Sequence, residues 1–364
     1  MESNAFYSLD KILAQNADYN IIYGERSNGK TTAVLRHGLD DHIESGYVNQ
    51  IAIIRRWEED FKGKNGQQMF ENMVSLGWIE KMTKGRYNSV YYYSQRWYLC
   101  KYDDTGEKIS QAERPFALGF SITSEEHYKS TSYPDIKTVL FDEFITRDYY
   151  LPDEFVIFQN LLSTIIREKD DVKIFMCGNT INKYNVYFSE MGLNNASKMK
   201  QGDIDIYTYG DSDLKVVVEY CESKNKNKKS NKYFAFDNPK LKMIRNGAWE
   251  ISIYPHLPYK YNSSEKMFSF YINFEKRNFE CEVINKNSDI FIYIHRKTSD
   301  IIETDYPVYS FDIVPNYNYS SNIFNPRNKI ESLIKELFVT EKVFYQDNEV
   351  GEDIRNFLMF SSKK

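Results

Sequence analysis

The sequence predicts an α/β protein of two domains, a parallel-sheet domain followed by a smaller α+β domain. Three observations carry that reading. Strand-like and helix-like segments alternate over about the first 200 residues, the pattern of a sheet with helices on its faces. Residues 24–31, Gly24-Glu25-Arg26-Ser27-Asn28-Gly29-Lys30-Thr31, fit the pattern G-x-x-x-x-G-K-[ST] between an apolar run and a helical one. Residues 222–232 contain no apolar side chain and mark a break, with β-rich sequence beyond it.

The elements follow in order. Tyr19-Asn20-Ile21-Ile22-Tyr23 is a short apolar run that suits a buried strand, and Thr31 through Leu39 has helical spacing. Ile51-Ala52-Ile53-Ile54-Arg55 is a second buried strand, and Phe70 to Trp78 reads as a helix. Ser89 to Tyr93 and Trp97 to Tyr102 form a hairpin closed by Ser94-Gln95-Arg96. Thr138 to Phe141 is a third buried strand and ends in acids. Phe155 to Ile166 is an amphipathic helix with Phe155, Phe158, Leu161, Leu162 and Ile165 on one face, and Lys173 to Cys177 is a fourth strand. Past the break come strands at Ala248 to Tyr254, Met267 to Phe274, Phe279 to Ile284 and Ile290 to His295, then helices at Lys329 to Leu337 and Asp353 to Phe360. The expected layout is a first domain over 1–197, a linker region over 198–232 and a second domain over 233–364, with no internal repeat.

Composition narrows the class. A chain of 364 residues exceeds most single cores, and 41% hydrophobic residues suffice to build two. The 30 Tyr and 24 Phe suit half-exposed sheets, interfaces or base stacking, and we favour sheets for most of them. A net charge of −5 argues against wholesale coating of nucleic acid but leaves room for a local basic patch. Cys100, Cys177, Cys221 and Cys281 form no C-x-x-C, which offers neither a zinc site nor a disulfide framework and fits a reducing cytosol. No apolar run approaches the ~18 residues of a membrane helix, and no signal-peptide pattern opens the chain. The expectation is a soluble intracellular protein with no membrane partner.

The segment from Gly24 to Thr31 has the strand–loop–helix setting that a phosphate-binding loop needs. Gly24 and Gly29 let the backbone curl so that its N–H groups face phosphate oxygens. Lys30 reaches the β- and γ-phosphates, and the Thr31 hydroxyl ligates Mg²⁺. Arg26, inside the loop, can touch nucleotide or pair with a carboxylate, and with Thr32 after the loop these are the candidate ATP-binding residues. The third strand, Thr138-Val139-Leu140-Phe141-Asp142-Glu143, is the Walker B strand expected beside such a loop. Asp142 would hold Mg²⁺, and Glu143 would polarise the attacking water, which makes the chain a hydrolase and not only a binder. A Glu after the Asp suits the ring- and translocase-forming ATPases, the ASCE class, whose sheet carries an additional strand between the P-loop and Walker B strands. The long gap from Lys30 to Asp142 has room for it.

Other candidates have two readings each. Asn179, past the fourth strand, can serve as a sensor of the γ-phosphate or as ordinary turn chemistry. Arg167, closing the amphipathic helix, can be a trans-acting arginine finger or a complement to the helix dipole, and the residues alone favour the dipole. Arg55 and Arg56 end a strand and can contact phosphate or solvent. Lys129 and Arg147, in polar loops, can meet a DNA backbone or stay solvated, the commoner state.

The arrangement resembles the phi29-like bacteriophage genome-packaging ATPases. The resemblance rests on Ile21 through Thr31, on Tyr133-Pro134-Asp135-Ile136-Lys137-Thr138-Val139-Leu140-Phe141-Asp142-Glu143-Phe144-Ile145, and on Leu151-Pro152-Asp153-Glu154 leading to Arg167. It covers roughly residues 1–190 and is architectural beyond. It implies a homomeric ring, usually a pentamer, docked on the portal of an empty phage head in the host cytoplasm and hydrolysing ATP to drive double-stranded DNA inward. It further implies that Arg167 is the trans-acting finger, that Lys129 grips DNA in the pore and that Asn179 is the sensor. Departures are the loop centre Arg26-Ser27-Asn28, which is poorer in glycine, Trp57-Glu58 after the basic pair, and Thr146-Arg147-Asp148, which only partly keeps a basic cluster.

The second domain resembles the ribonuclease H-like nuclease domain of large terminases. That chemistry needs clustered acids holding two metals. The expected first strand, Met267 to Phe274, has no acid, and Glu280 and Glu282 on the next cannot form the site unaided. A vestigial, non-cutting domain is therefore expected. The lysines of 224–232 with Lys240, Lys242 and Arg245 suit nucleic acid phosphates, DNA or a packaging RNA, or a plain linker. The alternatives are a large terminase with a working nuclease and a nucleotide-dependent nucleic-acid-binding scaffold without significant turnover.

Overall fold

Buried apolar runs become the middle of a ten-stranded sheet. In the computed structural model, which describes residues 7–146, 150–151, 153–180, 185–210, 212–222, 254–257, 260–274, 277–301, 304–311 and 318–361, the chain divides into two units, Met1–Glu250 and Ile251–Lys364. The first unit carries that sheet. Its parallel centre runs β6 (Ala117–Ser121), β2 (Gln50–Arg55), β7 (Ile136–Asp142), β8 (Lys173–Asn179), β1 (Tyr19–Gly24), β10 (Lys215–Tyr220). Strands β1, β2, β7 and β8 are almost wholly buried, as strands covered by helices on both faces must be.

Antiparallel strands finish both edges. On one side β4 (Arg96–Tyr102) joins β6, with β3 (Ser89–Tyr93) and β5 (Lys108–Gln111) paired to β4. On the other, β9 (Ile204–Thr208) pairs with β10. The β3–β4 hairpin turns at Ser94 (φ 49) and Gln95 (φ 60), two consecutive left-handed residues whose twist suits a two-residue turn.

Helices cover the two faces with separate cores. One face packs under α1 (Asp10–Leu13), α2 (Lys30–Glu44), α3 (Lys64–Gln68), α4 (Glu71–Ser75) and α5 (Trp78–Met82), and buries Ile22, Leu35, Leu39, Ile53, Phe70, Trp97 and Phe175. The other packs under α6 (Glu154–Ile166) and α7 (Val186–Glu190), and buries Tyr23, Ile54, Phe141, Phe158, Leu161, Leu162, Ile165 and Tyr187. Helix α2 lies close on the sheet because position 38 has no side chain. A Cβ at Gly38 would stand 2.4 Å from Ile51 Cγ1 and 2.6 Å from its Cδ1. Gly38→Ala is therefore expected to lower stability by about 1–3 kcal/mol through overpacking, although alanine in a helix is otherwise favoured by up to ~1 kcal/mol. Urea denaturation checks this, and an equal or higher midpoint would contradict it.

Three expectations change. The helix over Phe70 to Trp78 is two short helices, α4 and α5, because Gly77 between them takes φ 68. The linker expected over 198–232 does not begin at 198. Residues 204–208 and 215–220 are β9 and β10, and β10 pairs in register with β1, Ile21 opposite Val218. The third concerns the strand between the P-loop strand and the Walker B strand. It is present, since β8 lies between β1 and β7, but it follows β7 in sequence. The gap from Lys30 to Asp142 instead supplies β2 and the far edge of the sheet.

The second unit holds a six-stranded sheet in the order β15 (Tyr319–Ser320), β14 (Val308–Ser310), β11 (Lys266–Phe274), β12 (Arg277–Lys286), β13 (Asp289–Lys297), β16 (Val343–Tyr345). Strands β11, β12 and β13 form an antiparallel meander, and β14 runs parallel to β11. Strand β15 continues the sheet parallel to β14, and β16 runs parallel to β13. Alternation sorts the faces. Phe270, Ile272, Cys281, Val283, Ile292 and Ile294 join a core with Ile334 and Leu337 of α8 (Lys329–Val339) and Val350, Ile354 and Phe357 of α9 (Asn348–Ser361). The strand expected from Ala248, up to residue 253, lies outside the described residues, as do 224–232, Lys240, Lys242 and Arg245. Among the described residues, no helix is long and apolar enough to cross a membrane.

Candidate active site

The loop between β1 and α2 is shaped by its glycines and pinned at its tip. A Cβ on Gly24 would come within 2.5 Å of Cys221 Sγ, and Gly29 takes φ 85 at the start of α2. Ser27 takes φ 57, a left-handed conformation that costs a non-glycine residue on the order of 1 kcal/mol. The tip is held from two sides. Tyr7 N donates to Asn28 O (3.1 Å), and Asn28 Nδ2 donates to Glu222 O (2.9 Å). Lys30 is buried, and its ammonium donates to Glu25 O (2.6 Å) and Asn179 Oδ1 (3.2 Å).

Parallel pairing aligns the strand ends, so Asp142, closing β7, and Glu143 after it arrive beside this loop. Thr31 Oγ1 donates to Asp142 Oδ1 at 2.7 Å. The other Asp142 oxygen accepts from Arg55 Nη2 at 2.7 Å, and Arg55 Nη1 stands 2.8 Å from Glu143 Oε2. Asp142 is buried, whereas the Glu143 side chain is 64% exposed and its backbone takes φ 59. Thr31 and Asp142 thus present adjacent hard oxygen donors, a set that suits Mg²⁺.

These groups line one cavity of about 600 Å³, together with Arg26, Ser27, Asn28, Gly29, Lys30, Thr32, Arg56, Trp57 and Asn179. That volume suits a nucleotide-sized ligand. Cys177 also lines it. Burial, and after it the charge of Asp142, holds its thiol well above the ordinary value, so it stays protonated and inert. The structure therefore brings together Gly29, Lys30, Thr31, Thr32, Arg26, Asp142, Glu143 and Asn179, and Gly24 opens the same loop.

Arg55 and Arg56, adjacent at the end of β2, face different partners, as successive residues of a strand do. Arg55 meets the acids. Arg56 meets Glu154, the first residue of α6, which is wholly buried. Arg56 Nε lies 2.9 and 3.1 Å from the two carboxylate oxygens, and its Nη2 lies 2.8 Å from Oε1. Glu154 also accepts from Tyr187 OH (2.7 Å) and Leu151 N (2.7 Å). Burial, then the charge of Glu154, keeps the Tyr187 phenol protonated and donating.

Two candidates stand apart from the cavity. Arg167 is exposed at the C-terminal end of α6, and its Nη2 donates to Lys129 O at 3.2 Å. The helix separates it from Glu154 by roughly 20 Å at 1.5 Å per residue. Lys129 is half-exposed and pairs with Glu126 (2.6 Å) and Glu125 (3.5 Å). Arg147 lies outside the described residues.

In the second unit, Glu280, Glu282 and His295 bring ligand atoms within 4.8 Å of one another. Lysine occupies the ground between them. Lys266 Nζ lies 2.8 Å from Glu282 and 3.4 Å from Glu280, and Ser269 Oγ donates to Glu280 at 2.9 Å. With a lysine neutralising both acids and none on β11, these residues do not fit a two-metal nuclease.

Sequence reasoning missed the engagement of Arg55 with both Asp142 and Glu143, the burial of Arg56 with Glu154, and the anchoring of Asn28. The first had a readable signal, a cation ending the strand next to the acids. The other two depend on partners about 100 and 190 residues away, which no local pattern reveals.

The chain is similar to known DNA packaging proteins. A sequence profile of the family described as Podovirus DNA encapsidation protein (Gp16) matches residues 108–235. The "DNA packaging protein" of Bacillus phage phi29 is 26% identical over 191 residues, 52% of this chain and 50% of the relative. That of Bacillus phage B103 is 28% identical over 189 residues, 51% and 50% of the two chains. The chain thus spans about half the length of the curated relatives it matches. Among solved structures, the bacteriophage Phi-29 viral genome packaging motor assembly superposes with TM-score 0.56 at 19% identity, covering 97% of each chain. The Phi-28 gp11 DNA packaging motor superposes with TM-score 0.53 at 18% identity, covering 98% of each. At those identities the structural likeness establishes the fold.

Proposed function

We propose that this chain, homologous to the DNA packaging protein of phage phi29, is an ATP-driven motor that moves double-stranded DNA into a preformed phage head through its portal. The observation that carries the reading is the 2.7 Å contact between Thr31 and Asp142, with Lys30 and Glu143 on the same cavity. A binder needs the loop; a hydrolase needs the adjacent acid as well.

The loop backbone and Lys30 hold the triphosphate, and Thr31 with Asp142 would hold Mg²⁺, which neutralises charge on the phosphate oxygens when bound. Glu143 accepts a proton from a water whose oxygen attacks the γ-phosphorus, and the bond to the β–γ bridging oxygen breaks, leaving ADP and phosphate. The ion pair from Arg55 to Glu143 has to loosen before that carboxylate takes the proton. Asn179, at the tip of β8 and bonded to Lys30, is suited to sense the γ-phosphate. Arg167 does not line its own chain's cavity, and in this reading it acts in a neighbour's site, as a finger across a homomeric ring that is a pentamer. Lys129, tied to Arg167 through its carbonyl, is the candidate DNA contact, together with Arg147. Such contacts to phosphate are largely independent of sequence. The second domain, without a fitting acid set among the described residues, is read as vestigial and non-cutting, and a packaging RNA is a candidate partner. The motor would work in the host cytoplasm while docked on the prohead.

Subunit mixing tests this. Arg167→Ala and Glu143→Ala chains are each expected to be inactive alone, and rings of both are expected to regain part of the turnover of ATP. No rescue at any ratio, in rings shown to be mixed, would remove the trans role. Nicking of plasmid DNA with Mn²⁺ would contradict the vestigial reading, and negligible ATP turnover with DNA and portal present would favour a scaffold.

A further inference from the structure

We infer that Arg56 is a positioning residue for Glu143: its guanidinium holds the peptide that aims the catalytic carboxylate, over and above its ion pair with Glu154. The inference rests on the ATPase reading above. Two edges of one planar group do different things. The Nε edge and one Nη2 bond engage Glu154 at 2.8–3.1 Å. The remaining donors point to the turn after β7, Nη2 to Phe144 O at 3.0 Å and Nη1 to Glu143 O at 3.4 Å.

That turn needs holding. Glu143 takes φ 59, a conformation disfavoured for a residue with a side chain, and it persists only where neighbours over-determine it. Phe144 N donates to Cys177 O at 3.3 Å, so β8 holds one side of the turn and Arg56 the other. Arg56 is itself immobile. It is buried, its guanidinium lies 5.2 Å from the Tyr150 ring centre, and its partner Glu154 is fixed by Tyr187 and Leu151. An ion pair alone would use only the Glu154 edge. A lysine could satisfy Glu154 but has no planar fork to reach both carbonyls.

The unaltered chain, its Arg56→Lys variant and the double variant Arg56→Met with Glu154→Gln separate the two roles. The double variant removes both buried charges, so a purely structural Arg56 predicts recovery of both stability and turnover. The inference instead predicts that Arg56→Lys and the double variant bind a fluorescent ATP analogue within about twofold of the parent and turn over ATP roughly hundredfold more slowly, the loss that a misplacement of about 1 Å produces. Parental kcat in the double variant overturns the inference. If that variant fails to fold, parental kcat in Arg56→Lys overturns it equally. A parent chain that binds ATP and never hydrolyses it removes the ATPase reading and this inference with it, and the unchanged parent distinguishes that failure from the other.

Discussion

Glu143→Ala is expected to lower ATP turnover by roughly 10²–10⁴-fold, the usual contribution of a positioned general base, while ATP binding persists. The separation follows from where Glu143 sits. Its side chain is 64% exposed and pairs with Arg55, which keeps a second partner in Asp142 at 2.7 Å. Removing it therefore leaves no buried charge alone, and stability should move by no more than about 0.5 kcal/mol. Lys30→Ala differs in kind, because it removes the cation proposed to meet the triphosphate and should weaken binding together with turnover. A steady-state assay with a fluorescent-nucleotide titration distinguishes the two. Parental turnover in Glu143→Ala would remove Glu143 from the catalytic assignment.

The largest expected loss of stability lies one residue from Arg55. Arg56→Ala strands Glu154, which is wholly buried and would keep only Tyr187 and Leu151 as donors. Breaking a buried ion pair from one side costs about 3–5 kcal/mol, because the remaining carboxylate has lost its counter-charge without regaining water. The neighbouring Arg55→Ala, beside an open cavity, should cost less. Denaturant midpoints of the two variants check the order. If Arg55→Ala proved the more damaging, the burial assigned to the Arg56–Glu154 pair would be wrong.

Much of this was legible because its signals are local. The loop from Gly24 to Thr31 declares itself through two glycines, a lysine and a threonine at fixed offsets, and β1, β2, β7 and β8 are apolar runs that end beside the cavity. The hairpin at Ser94 and Gln95 is also local. What escaped depends on pairing across the chain. Val216, Val217 and Val218 are a buried-strand signal, yet a boundary drawn from the lysine-rich stretch overrides them, and only β1 reveals their place. The same holds for the position of β8 between β1 and β7, and for β14, β15 and β16, which run three residues or fewer and carry no period to read. At the site, Lys30, Thr31, Asp142 and Glu143 were named from motif spacing. Arg56 and Glu154 are 98 residues apart, and neither has a motif.

The measurement that tests the central claim most directly is protection of DNA from nuclease inside proheads, with ATP turnover followed in the same sample. The account predicts that DNA becomes protected with ATP and Mg²⁺, and that protection is lost with a non-hydrolysable analogue, with Lys30→Ala or with Glu143→Ala. Protection that proceeds without hydrolysis would contradict it, as would brisk hydrolysis in complete motors that never protect DNA.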